Sequence, residues 1–94
     1  MKLVTTGIAG TMESGDILIE ITKSEIPGIV ITLESTVENQ FGRQIKETIE
    51  NTIAEYGLEN VNIHAIDKGS LDCTIRARVT TAILRGCQSE NYRW

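Results

Sequence analysis

The chain has 94 residues, enough for a single domain, and 40% of them are hydrophobic but only 4% aromatic, so its core must be built from Ile, Leu and Val. A net charge of −4 and a sequence pI near 4.9 leave no basic footprint with which to neutralise nucleic-acid phosphates. Met1-Lys2 leads into threonines and glycines rather than an apolar run, no stretch is long enough to cross a bilayer, and Cys73 and Cys87 make no disulfide framework. These features predict a cytoplasmic protein with free thiols and no membrane partner.

The first strand is expected from about Gly7 to Met12, with Ile8 and Met12 on one face, and the second from Ile17 to Ile21, with Ile17, Ile19 and Ile21 opposite Leu18 and Glu20. Between them Ser14-Gly15 is turn chemistry, because Gly15 takes φ > 0 without steric cost and the reversal pushes Ser14 into solvent. Pro27-Gly28 marks a second turn, after which Ile29, Ile31 and Leu33 alternate with Val30 and Thr32. Three strands with short connections predict an antiparallel meander. Ser35-Thr36-Val37-Glu38 reads as a capping box with Ser35 as N-cap. Val37, Phe41, Ile45, Ile49 and Ile53 then recur every four residues, one apolar helical stripe that places Phe41 and Ile49 in the core, with Gly57 suited to the C′ position.

Val61, Ile63 and Ala65 alternate with Asn62 and His64 in a fourth strand that ends at Asp67-Lys68-Gly69. Strand, helix and strand in succession predict a right-handed crossover that lays the helix on one sheet face. Residues 70–85 fit both periods: Leu71, Cys73, Ile75, Ala77 and Val79 alternate, whereas Leu71, Ile75, Val79, Ala82 and Ile83 form a helical stripe. The helix is preferred, with Ser70 as cap, Asp72 in the first turn and Gly86 as the stop. One helix would set Cys73 and Cys87 about 21 Å apart, well beyond the roughly 7 Å that a disulfide spans. The predicted fold is α+β, a small two-layer sandwich of about four strands (an antiparallel N-terminal meander) and two helices, with residues 1–86 as one domain and 87–94 as a tail.

Few residues could carry chemistry. His64 is the single histidine, and nothing in the sequence places it near Ser14, so a Ser14-His64-Asp67 triad has little support. One histidine and two separated cysteines match no metal-ligand spacing, and the Glu13 and Asp16 carboxylates at a turn read as solvated charges. No glycine-rich phosphate loop precedes a helix. An exposed hydroxyl on a sheet-braced turn remains, suited to serve as an anchor rather than as a nucleophile.

Four segments carry a resemblance to a known family: Gly10-Thr11-Met12-Glu13-Ser14-Gly15-Asp16, Val37-Glu38-Asn39-Gln40-Phe41-Gly42, Asp67-Lys68-Gly69-Ser70-Leu71-Asp72-Cys73 and Arg76-Ala77-Arg78. Together they span nearly the whole chain, and the sequence resembles the citrate lyase acyl carrier proteins, the γ subunits of that complex. The resemblance implies a non-catalytic carrier whose Ser14 bears a covalently attached triphosphoribosyl-dephospho-CoA through a phosphodiester. It implies the citrate lyase α and β subunits and a prosthetic-group transferase as partners, with acetyl and citryl units carried on the arm's thiol.

Glu13 and Asp16 flank the hydroxyl, so a phosphodiester there adds a third negative charge at close range. Water and salt must screen it, which predicts an exposed tip and an installing enzyme that brings cationic groups. Two other readings compete: a malonate decarboxylase or citramalate lyase carrier with another acyl group, and a small α+β regulatory or oligomerising module with no prosthetic group.

Overall fold

The computed structural model describes residues 2–35 and 38–88. The elements follow in the order β1 (Gly7–Ala9), β2 (Ile17–Lys23), β3 (Ile29–Ser35), α1 (Glu38–Glu55), β4 (Val61–Asp67) and α2 (Asp72–Gly86). The four strands form one sheet in the order β1-β2-β4-β3. β1 and β2 pair antiparallel, as do β2 and β4, and β3 runs parallel to β4. The expected four strands and two helices are present, but the meander is not. β4 returns through α1 and inserts between β2 and β3, so only the β1–β2 pair of the meander forms.

Alternation explains which face is buried. Gly7 and Ala9 of β1, Ile17, Ile19 and Ile21 of β2, Val61, Ile63, Ala65 and Asp67 of β4 and Leu33 of β3 all lie on one side, and all are buried. Both helices cover that side, α1 with Ile45, Ile49 and Ile53 and α2 with Ile75, Val79, Ala82 and Ile83. The opposite side of the sheet, carrying His64, Glu34, Thr32 and Val30, is exposed. The molecule is therefore a two-layer α+β sandwich.

α2 sits close against β1 because two glycines permit it. A Cβ on Gly7 would fall 1.9 Å from the Ala82 carbonyl oxygen, and one on Gly86 would fall 2.3 Å from Leu3 Cδ1. Gly86 thus serves close packing inside the last helical turn and is not the stop residue. The left-handed position after the helix belongs to Gln88, at φ 54°. Gly86 also accepts hydrogen bonds through its carbonyl from the amides of Val4 and Thr5, at 2.9 and 3.0 Å, which tie the N-terminal segment to α2.

Other local expectations divide. Gly57 takes φ 66° just after α1, as a C′ residue does. Leu71, not Ser70, is the N-cap of α2, and it makes no side-chain cap. The Ser70 hydroxyl is committed to Asp67 instead. Ser35 ends β3, and its hydroxyl donates to Asp67 Oδ2 at 2.9 Å. The expected capping box rests on Thr36, Val37 and the Glu38 side chain, which lie outside the described residues, as do the Val37 end of the apolar stripe and tail residues 89–94. β1 stops at Ala9, short of Met12, and both Ile8 and Met12 are exposed. Cys73 and Cys87 are both free thiols.

Phe41 departs from expectation. It is 49% exposed, whereas Ile49 is fully buried. The two helices run in the same direction, Thr48 meeting Asp72 and Glu55 meeting Arg76. Phe41 lies seven residues before Thr48, about 10 Å of helix, so it overshoots the first residue of α2 and has only the turn before that helix to pack against. Truncation costs should follow this placement. Ile49→Ala is expected to lose about 2–5 kcal/mol in urea unfolding, and Phe41→Ala about 1 kcal/mol or less. The reverse ranking would place Phe41 in the core.

Candidate functional site

Ser14 lies on the connection between β1 and β2, residues 10–16. The amide of Asp16 donates to the Glu13 carbonyl at 3.0 Å, which closes a four-residue turn with Ser14 second and Gly15 third. Gly15 has φ 86° and Ser14 is not left-handed, the geometry of a type II turn, which demands glycine at the third position. A Cβ added to Gly15 would meet nothing within 4 Å, so the turn faces open space. Ser14 is exposed, and among the described residues no hydrogen bond engages its hydroxyl.

Asp16 holds this turn in place. Its Oδ2 accepts from the Thr11 amide at 3.1 Å and the Thr11 hydroxyl at 2.7 Å, and its Oδ1 accepts from the Ile17 amide at 2.7 Å. The Thr11 hydroxyl in turn accepts from the Glu13 amide at 3.2 Å. Arg78 of α2 then grips both oxygens, Nε to Oδ1 at 3.0 Å and an Nη to Oδ2 at 3.2 Å, the fork-to-fork geometry of a strong arginine–carboxylate pair. The Arg78 guanidinium, helped by Thr11 and Ile17 and opposed by partial burial, pulls the Asp16 carboxyl down to about 2. At neutral pH Asp16 is a neutralised pair, so Glu13 is the remaining bare carboxylate beside Ser14. Sequence reasoning missed this clamp. Its one signal was Arg76-Ala77-Arg78, which gave no hint of the partner.

A second loop buttresses the first. The Gly15 amide donates to the Lys68 carbonyl at 2.7 Å, and the Lys68 amide donates to the Asp16 carbonyl at 2.9 Å, extending the β2–β4 ladder past Ile17 and Asp67. The turn at Lys68 is itself fixed by Asp67, 1% exposed. This carboxylate accepts from the Ser35 and Ser70 hydroxyls and from the Gly69 and Ser70 amides. Burial pushes the Asp67 carboxyl up, but the hydrogen bonds from Ser70, Ser35 and Gly69 outweigh it and hold it below the usual carboxylate range. Gly10 completes the mount at φ 95°, where a Cβ would fall 1.8 Å from the Ile17 carbonyl oxygen.

No triad forms. His64 and Asp67, three positions apart on β4, point to opposite sheet faces, and His64 Nε2 lies 2.6 Å from Glu34 Oε2 on the open face. Among the described residues no three His, Cys, Asp or Glu side chains gather as a metal site would require, and no helix is long and apolar enough to cross a membrane.

Comparison with known proteins bears on what such a mount is for. The sequence pattern of the malonate decarboxylase delta subunit (MdcD) family matches residues 4–86. The citrate lyase acyl carrier proteins of Streptococcus mutans and Fusobacterium nucleatum are each 46% identical over all 94 residues, covering 92% and 100% of those proteins. The chain belongs to the citrate lyase acyl carrier protein family. The Lactobacillus acidophilus member is 48% identical over 91 residues, 97% of this chain and 93% of that one. The family is one of carrier subunits rather than catalysts.

The Asp16–Arg78 pair sets a pH dependence. A carboxyl lowered from 3.8 to about 2 contributes stability that is present in full above its unfolded value and disappears as pH falls through its folded one. The Asp16 side-chain carboxyl carbon should therefore titrate near pH 2 by NMR in the native chain. In Arg78→Met the midpoint should rise toward 3.8, and an unchanged midpoint would contradict the clamp.

Proposed function

We propose that this chain is the acyl carrier subunit of citrate lyase and that Ser14 is where its prosthetic group is attached. The observation that carries the reading is an exposed, unengaged hydroxyl on a turn fixed from two sides, in a chain aligned from end to end with proteins named citrate lyase acyl carrier protein. A carrier needs its anchor accessible to a modifying enzyme and immobile relative to the domain that docks. The 10–16 loop supplies access through Ser14 and Gly15, and it supplies immobility through Asp16, Arg78 and the Lys68 backbone.

The residues present fit the group that the family implies, a triphosphoribosyl-dephospho-CoA joined by a phosphodiester. Open space lies in front of the turn, and the neutralised Asp16 removes most of the repulsion that two flanking acids would impose on a new phosphate. The cationic help expected of the transferase is thus partly built into the carrier as Arg78. When bound, the group supplies a terminal thiol that holds the acyl unit as a thioester. Tethering to Ser14 keeps that thiol at high effective concentration near whichever subunit the domain docks on. In this reading the α subunit would exchange acetyl for citryl, the β subunit would cleave the citryl thioester to oxaloacetate and leave the acetyl thioester behind, and the complex would work in the cytoplasm.

A second reading keeps the same anchor but places the chain in a malonate decarboxylase, and the delta-subunit family match favours it. Full-length identity to citrate lyase carriers weighs against it. The modified chain mixed with citrate lyase α and β subunits should release oxaloacetate from citrate, and failure with those subunits but turnover of malonate with the decarboxylase subunits would reverse the choice.

The anchor itself is tested by intact mass. Wild-type chain from cells holding the transferase should gain the adduct, and so should Ser70→Ala, whose hydroxyl is engaged by Asp67. Ser14→Ala should gain nothing while its stability changes by about 0.5 kcal/mol or less. An adduct on Ser14→Ala would exclude Ser14 as the anchor.

A further inference from the structure

Where α1 begins and the turn after β4 leads into α2, an open groove of about 300 Å³ runs between Phe41 and Ile45 on one side and Leu71 and Ile75 on the other. Phe41 and Leu71 are 49% and 71% exposed. These are two large apolar side chains, facing each other across a gap, that the core does not use. The volume is at the small end of ligand pockets, and the lining is of their kind, mostly apolar with a few polar groups. Of those polar groups, the Ser70 hydroxyl donates to Asp67 and Asp72 Oδ1 accepts from the Thr48 hydroxyl at 2.5 Å, while Gln44 adds only an uncharged amide. Among the described residues no cationic side chain lines the groove.

The groove lies beside the serine mount. Gly69 forms part of its wall, and Lys68, the preceding residue, is hydrogen-bonded to Gly15 at 2.7 Å. Two steps of 3.8 Å along the chain and one ladder crossing of about 5 Å put the Ser14 and Gly69 Cα atoms within about 13 Å of each other. Anything tethered to Ser14 meets this groove at high effective concentration, so weak apolar contact is enough to fill it.

On the reading that Ser14 is the anchor, we infer that the groove docks the distal, uncharged end of the attached group and rejects that end when its acyl load carries carboxylates. The distal end of a coenzyme A-type arm is aliphatic and amide-bearing with no charge, as is an acetyl thioester, and Phe41 and Leu71 offer it cover from water. A citryl load brings carboxylates. In this groove they would lose hydration, find no cation and sit beside Asp72, an unfavourable exchange. The groove therefore distinguishes the two loads: the acetyl form rests against the carrier and the citryl form is released toward a partner.

The test uses the full isotope-labelled chain, with the adduct first verified by intact mass and lost in Ser14→Ala. Amide spectra of unmodified chain are compared with those of the modified chain as free thiol, acetyl thioester and citryl thioester. Shift changes at Ile45, Gly69, Leu71 and Ile75 are expected for the thiol and acetyl forms and not for the citryl form. Leu71→Ser and Phe41→Ser, both at exposed positions, should abolish those changes with the adduct mass intact, and Asp72→Asn should restore them to the citryl form. An adduct whose shifts stay within residues 11–16 would overturn the groove and leave the anchor standing. Equal shifts for acetyl and citryl would overturn the discrimination, and groove shifts in unmodified chain on adding the α or β subunit alone would assign the groove to a protein partner instead. No adduct mass at all would overturn the anchor.

Discussion

On the proposed reading, a loop that presents a side chain to other enzymes must leave its tip in water and still hold its backbone still, and Asp16 with Arg78 meets both demands. The carboxylate gathers the Thr11 amide and hydroxyl and the Ile17 amide, so loop donors that would otherwise fluctuate in solvent have a common fixed acceptor. The guanidinium comes from α2, which the core already locks through Ile75, Val79, Ala82 and Ile83. Arg78 thereby transmits the rigidity of the core to a loop that contributes almost nothing to it. An ion pair with an arginine 41% exposed adds about 1 kcal/mol or less to global stability; its effect is local order. The same pair removes one of the two charges that would oppose a phosphate on Ser14.

Three arginines of α2 each reach a different element. Arg76 holds Glu55 at the end of α1 at 2.8 Å, Arg78 holds Asp16, and Arg85 donates to the Ile8 carbonyl of β1 at 2.8 Å. Gly7 and Gly86 let this helix approach β1 closely enough for the last of these contacts. Asp67 plays the corresponding part for the neighbouring turn, but from the buried side of the sheet and without a cation, satisfied by two serine hydroxyls and two backbone amides. The mount and the turn beside it thus rest on two carboxylates kept ionised by different means.

Much of this was legible in the sequence because it is local. The alternation of Ile17, Ile19 and Ile21 and of Val61, Ile63 and Ala65 identified β2 and β4, the Ser14-Gly15 pair identified the exposed turn, and the long uninterrupted span of 70–85 with Asp72 in its first turn favoured α2 over a strand that the spacing alone fitted equally well. What failed was long-range. Alternation fixes a strand's faces but not its neighbours, so the insertion of β4 between β2 and β3 had no local signature. Four-residue spacing placed Phe41 on the correct side of α1, yet burial there depends on where α2 starts, which the helix cannot encode. Ser70 had cap chemistry, but Asp67 competed for its hydroxyl. Gly86 looked like a helix stop because close packing and left-handed backbone select the same residue. Asp16 and Arg78 are 62 positions apart, and only the fold brings them together.

The central claim is that the core rigidifies the Ser14 turn through Arg78, and amide hydrogen exchange measures this most directly. In the native chain the amides of Thr11 and Gly15 should be protected although their turn is exposed. In Arg78→Met their exchange should accelerate by about tenfold or more, while core amides such as those of Ile19 and Ile63 keep nearly their native protection. Unchanged exchange at Thr11 and Gly15 would contradict the claim. Uniform acceleration across the sheet would contradict it as well, because Arg78 would then be stabilising the whole fold and not the mount.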